Sequence, residues 1–228
     1  MIRLQWKPVA TVEDARAMLQ TAIGVELGTL PPYLYAMFSI PPGENLAAAR
    51  RIRSVAMQEM VHMSPACNIL NALGGDPVLT PPLYPGPLPG DIGPPGGEPL
   101  IVHLLPFSEA AMAQGMAIEQ PEKPPDFPVE SLMMKEPAPE AITIGQFYEA
   151  LDKFLSTLPP AAWIPNRHQI DDSQFLAGQI FAVNNYADAH QAIQDSSPKA
   201  KAQPTARSIS STRSRITTAS ANASTTRC

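Results

Sequence analysis

Ala49, Ile52, Ala56, Met63, Ala66, Leu70 and Leu73 recur at steps of three or four, except for one open step, which Glu59 fills. That spacing is the buried face of an α-helix. A carboxylate in the middle of such a face is costly unless it is paired or binds a cation. Three residues on, in Met57-Gln58-Glu59-Met60-Val61-His62-Met63, stands His62. Glu-x-x-His puts a carboxylate and an imidazole one turn apart on one helix face, the pair that dinuclear carboxylate bundles take from a single helix. By spacing alone, Glu59 and His62 are more often a solvated or internally paired couple; the stripe around them favours a buried site.

A second stripe precedes it. Thr11 is an N-cap with Asp14 in the first turn, and Ala15, Leu19, Ala22, Ile23 and Leu30 mark the inner face of a first helix. Glu26 falls one heptad after Leu19, so a second carboxylate occupies a core position. A helix-end carboxylate beside a kink is its plainer reading, because Pro31-Pro32 is expected to kink or interrupt the helix. The apolar run Tyr33 to Ile40 can resume it, and Pro41-Pro42-Gly43 makes a turn. The second helix spans about Glu44 to Leu73, bends at Pro65 and stops at Gly74-Gly75.

Prolines set the rest of the layout: 27 of 228 residues, far above the usual share of about 5%. Pro77 to Pro99 reads as a long, mostly extended loop, and residues 121–140 are again Pro-rich. Leu100 to Leu105 is a short strand or buried apolar segment, and a weak helix follows from Ser108 to Glu119. A further helix from Thr143 to Leu158 carries the stripe Ile144, Phe147, Tyr148, Leu151, Phe154, Leu155 and Leu158. One more is expected from Gln174 to Gln194, with Phe175, Leu176, Ile180, Val183 and Ala187 for packing.

The net charge of −5 hides a split. Residues 1–194 hold 10 Lys and Arg against 20 Asp and Glu; residues 195–228 hold six Lys and Arg and only Asp195. After Asp195 the apolar period vanishes, and Ser and Thr dominate without a single aromatic, so the basic tail is expected to be disordered. No apolar run is long enough to cross a bilayer, the N-terminus lacks a secretory core, and no Gly-rich phosphate loop is present. The two cysteines, Cys67 and Cys228, make no disulfide framework, which points to a reducing cytoplasm. The composition therefore argues against nucleic-acid and membrane partners.

Several motifs resemble one family. Leu27-Gly28-Thr29-Leu30-Pro31-Pro32-Tyr33-Leu34 is similar to its "ELEHATIPPYL", Gln58 to Met63 to its "EEMLHM", and Asn68 to Gly75 to its "NVLNAIGG". Tyr84 to Gly90, Val102 to Ser108 and Ile144 to Tyr148 match as well. The resemblance, over roughly residues 10–194, is to the ferritin-like domain of iminophenyl-pyruvate dimer synthases, which couple oxidised tryptophan units in violacein and indolocarbazole pathways. It implies a mainly α, ferritin-like helical bundle with long Pro-rich loops over residues 1–194. It also implies an iron site with Glu26, Glu59 and His62 as ligands, and a small-molecule, tryptophan-derived substrate. The catalytic residues remain open.

A dinuclear site needs a second set of donors from the other helix pair. The family continues past its 174–194 helix with "QGEGT" and then "HYYRF"; neither occurs here, so the last bundle helix is expected to be missing. Both motifs are permitted when the codons of 199–203 and 216–220 are read one nucleotide earlier, which makes residues 195–228 a candidate frameshift product. Two readings follow: a di-iron oxidoreductase, or a non-catalytic binding module or inactive truncated relative with an incomplete metal site. Other chemistry-bearing residues point nowhere in particular. The helical phase places Glu149 toward solvent, His103 reads as structural, His168 and His190 lack a partner pattern, Met57, Met60 and Met63 read as core filler, and Cys67 as a buried thiol.

Overall fold

The computed structural model describes residues 2–120, 141–171 and 179–196. Thr11 starts the first helix as expected: its hydroxyl accepts from the Asp14 backbone N–H while the Asp14 carboxylate accepts from the Thr11 N–H. This helix, α1 (Val12–Phe38), is joined by a short turn to α2 (Leu46–Ala72), each 27 residues long. Arg16 donates to the Leu73 carbonyl at one end, Thr29 meets Glu59 in the middle, and Ile40 packs with Ile52 at the other end. The two helices therefore run antiparallel as a hairpin. Arg16 also places a positive charge at the C-terminal end of α2, where the helix dipole favours it.

Neither Pro31-Pro32 nor Pro65 interrupts its helix. A proline at position 32 removes the N–H that would bond the Gly28 carbonyl. The Tyr84 hydroxyl donates to that carbonyl instead, so the expected interruption is averted by a residue from the Pro-rich loop. The same loop presses on the α1 backbone. A Cβ at Gly28 would lie 2.9 Å from Leu88 Cδ2, and one at Gly24 would lie 3.0 Å from Pro89 Cβ. Glycine at these two positions lets the loop sit directly on the helix.

Small strands lock the loops in place. The N-terminal strand β1 (Leu4–Gln5) pairs antiparallel with β4 (Ala141–Ile142), and β2 (Gly86–Pro87) pairs with β3 (Ile101–Val102). Buried Ile2, Leu4 and Trp6 alternate with more exposed Arg3 and Gln5, which is the period of a half-buried strand. The buried Asp91 carboxylate ties this corner together by accepting from the backbone N–H groups of Arg3, Gly93 and Leu100.

Helix α3 (Glu109–Ile118) starts at Ser108 and helix α4 (Ile144–Leu155) at Thr143, both with side-chain caps. The last helix described, α5 (Tyr186–Ser196), begins twelve residues later than the apolar pattern suggests. Asn185 caps it by accepting from the Asp188 N–H. Ile180 and Val183 are buried all the same, from the non-helical segment ahead of the cap. Phe175 and Leu176, the Pro-rich 121–140 and the tail from 197 lie outside the described residues. Within α2, Asn68 and Asn71 hold the segment after α4: Asn68 Nδ2 donates to the Ile170 and Phe181 carbonyls, and Asn71 Nδ2 to that of His168. The main core joins the first half of α1, the second half of α2, the β1 segment, α4 and α5. A smaller cluster, Leu30, Tyr33, Ile40, Ile52 and Ala56, closes the hairpin's turn end. No helix among the described residues is long and apolar enough to cross a membrane.

Tyr84→Phe removes the hydroxyl that, among the described residues, replaces the proline-deleted donor at Gly28. We expect it to destabilise the fold by about 1–3 kcal/mol, the usual penalty for stranding a polar group, read as a lower urea midpoint with an unchanged slope. An unaltered midpoint would mean that water serves the Gly28 carbonyl equally well.

Candidate metal centre

Antiparallel packing brings the middle of α1 against the middle of α2, and both interrupted stripes face that contact. Glu26 comes from α1 and Glu59 and His62 from α2; they are 8, 4 and 7% exposed. Each offers a donor atom within 4.8 Å of the others. The His62 Nδ1 lies 3.9 Å from Glu26 Oε2, beyond hydrogen-bond range. Thr29, one turn past Glu26, places its Oγ1 3.1 Å from Glu59 Oε2 and 2.7 Å from the Glu26 carbonyl oxygen. Convergence of the three residues predicted from sequence is thus present in the fold.

Two phenols flank the cluster. The Tyr33 hydroxyl donates to Glu119 Oε1 at 2.8 Å. Burial raises its pKa first, then Glu119, with smaller contributions from Glu59 and Glu26. Tyr148, buried on α4, is raised well above the ordinary phenol value by burial, then by Glu26 and Glu59. Both therefore remain neutral phenols at physiological pH. A small cavity beside Glu26 is lined by Leu4, Ala22, Val25, Ile144, Phe147 and Tyr148. The walls on the α4 side are therefore apolar or aromatic and supply no further carboxylate.

Two carboxylates and an imidazole are a donor set that suits iron, manganese or zinc. Their enclosure strengthens the case, since neighbouring buried carboxylates repel unless a cation or a proton separates their charge. The residues fit one ion. Among the described residues this is the single group of three or more His, Cys, Asp and Glu able to hold one. Glu149 is exposed, in keeping with its helical phase. The His103 backbone is held at both N–H and C=O by the Gln114 side chain, which suits a structural role. Burial pushes the Cys67 thiol up to about 11, leaving it a protonated core residue.

His190 departs from expectation. Its Nδ1 lies 2.9 Å from Asp152 Oδ2, joining α5 to α4. The two residues are 38 apart in sequence, and no local pattern announces them. Thr29 and Tyr148 were likewise invisible as site neighbours: each occupies an ordinary helical position, and only the packing of α1, α2 and α4 brings them to the carboxylates. The Thr29-to-Glu26 spacing of three was the one available signal for Thr29.

The profile of a family described as "Ferritin-like" matches residues 19–195, which include all three candidate ligands. The crystal structure of a ferritin-like protein from Caulobacter vibrioides is similar, with a TM-score of 0.62 and 25% sequence identity over 83% of this chain and 67% of that one. Among curated proteins, no relative matches. With two long helices holding a buried Glu, Glu and His between them, and a family match over most of its length, this chain belongs to the ferritin-like family.

Proposed function

We propose that this chain is a metal-binding ferritin-like protein related to the di-iron carboxylate oxidoreductases of iminophenyl-pyruvate dimer synthase type, with Glu26, Glu59 and His62 as iron ligands. The observation that carries the proposal is the convergence of these three buried donors within 4.8 Å. Bound iron supplies Lewis acidity and one-electron redox chemistry toward a small, tryptophan-derived substrate. The chain's own groups set the conditions. Glu26 and Glu59 provide the negative charge that retains a cation, and His62 provides a nitrogen donor. Leu4, Ile144 and Phe147 line the side next to Glu26 and keep its surroundings poor in water. Tyr33 and Tyr148 stay protonated, so neither acts as a base at neutral pH, and the Tyr33 hydroxyl donates to Glu119.

One observation favours a second reading, a relative with half a site. A dinuclear shell takes about six donors, carboxylates from two helices and Glu-x-x-His sets from two more. Among the described residues three are present together, and residues 196–228 contain no Asp, Glu or His. We infer that the tail is read out of frame and that the missing donors lie in the other frame.

The full chain and a version with the shifted frame restored are to be compared for iron content and melting temperature. The chain as written should bind about one iron, weakly, lost in Glu59→Ala, and the restored version about two, with a higher melting temperature, because metal binds only the folded state. Stoichiometric loading with two irons in both versions would place the second half of the site elsewhere. Iron retained in Glu59→Ala would remove Glu59 from the site. Sequencing the locus tests the frame directly: an intact gene without a long alternative product would end that inference.

A further inference from the structure

Thr29 is 2% exposed and sits on the same face of α1 as Glu26, one turn away. Its Oγ1 reaches across to α2 and lies 3.1 Å from Glu59 Oε2. The same oxygen lies 2.7 Å from the Glu26 main-chain carbonyl. A threonine hydroxyl carries one proton and cannot serve both acceptors at once. A carboxylate is a stronger acceptor than a neutral carbonyl, so the contact with Glu59 competes for that proton although it is the longer of the two. No other hydrogen bond reaches the Glu59 carboxylate among the described residues. Among the described residues, Thr29 is the hydrogen-bond donor that keeps this long and flexible side chain turned toward Glu26 and His62.

We propose that Thr29 is a positioning residue for the site: its hydroxyl holds the Glu59 carboxylate in the orientation that a divalent cation requires. The inference rests on the metal reading above. Hydrogen-bonded partners of ligating carboxylates set ligand orientation, and their loss commonly weakens metal binding about 10-fold to 100-fold. Thr29 is suited to this because it belongs to the helix that supplies Glu26. The contact therefore registers the two carboxylates against each other as well as holding one of them.

The test uses the metal-free full chain, titrated calorimetrically with Mn2+, and with Fe2+ under anaerobic conditions. Thr29→Val keeps the side-chain volume and deletes the hydroxyl; Thr29→Ser restores it. Valine should raise the Kd at least about tenfold, and serine should bring it back near the native value. Melting of the metal-free proteins supplies the control, because a purely structural threonine would lower the melting temperature of the valine variant and leave the Kd alone. That result, or a serine variant as weak as valine, would overturn the proposal. Should the valine variant fail to fold, Thr29→Ala and Thr29→Ser are compared in the same way, with the alanine variant expected to bind more weakly. A native chain that binds neither ion would instead refute the metal reading itself, an outcome visible without any variant.

Discussion

Two carboxylates buried between the same pair of helices govern the centre of this molecule. Charge of one sign, enclosed by apolar neighbours, raises the free energy of the folded state unless a cation or protons offset it. The fold accepts this because the surrounding contacts are strong. Ala22, Ile23, Ala66 and Leu70 belong to one continuous core that holds α1 to α2 on one side of the carboxylates. Leu30, Ile52 and Ala56 hold them on the other. The hairpin is thus pinned at both ends, and Glu26, Glu59 and His62 are confined to its middle. That is the arrangement expected of a site positioned by rigid elements.

The Pro-rich loop that follows α2 belongs to the same mechanical unit. It lies on the back of α1, where Gly24 and Gly28 give it room, and Tyr84 donates to a carbonyl that Pro32 leaves without its helical partner. A helix with two prolines in its interior is thereby kept continuous through the turn that carries Thr29 and the residues beside Glu26. Asp91 anchors the far end of this loop to the N-terminal segment, and that segment brings Leu4 to the cavity beside Glu26. The loop therefore helps to hold the Glu26, Glu59 and His62 group, although none of its residues belongs to it.

Much of this was legible in the amino-acid order because it is local. Thr11 with Asp14, Ser108 and Thr143 cap the helices they were expected to start, and Gly74-Gly75 ends α2. Glu26 and Glu59 stood out because a helical stripe shows which positions face inward, whatever residue occupies them. What failed depended on distant partners. Pro31-Pro32 reads as a break until Tyr84, 56 residues from Gly28, is placed. The 174–194 pattern reads as one helix because apolar spacing does not reveal that Asn185 caps the chain there. Asp152 and His190 meet only after α4 and α5 pack. Thr29 looked like any polar helix residue until its hydroxyl was found against Glu59.

We propose that a cation belongs between α1 and α2, held by Glu26, Glu59 and His62. Crystals of the full chain grown or soaked with Fe2+ under anaerobic conditions allow a direct measurement: an anomalous difference map from data collected on either side of the iron absorption edge. The expected result is a peak within about 2.0–2.3 Å of a donor atom from each of the three residues, the usual range for nitrogen and oxygen ligands to such metals. A map whose iron peaks lie only at surface residues, with the three side chains turned away from one another, would rule out a cation held between these helices.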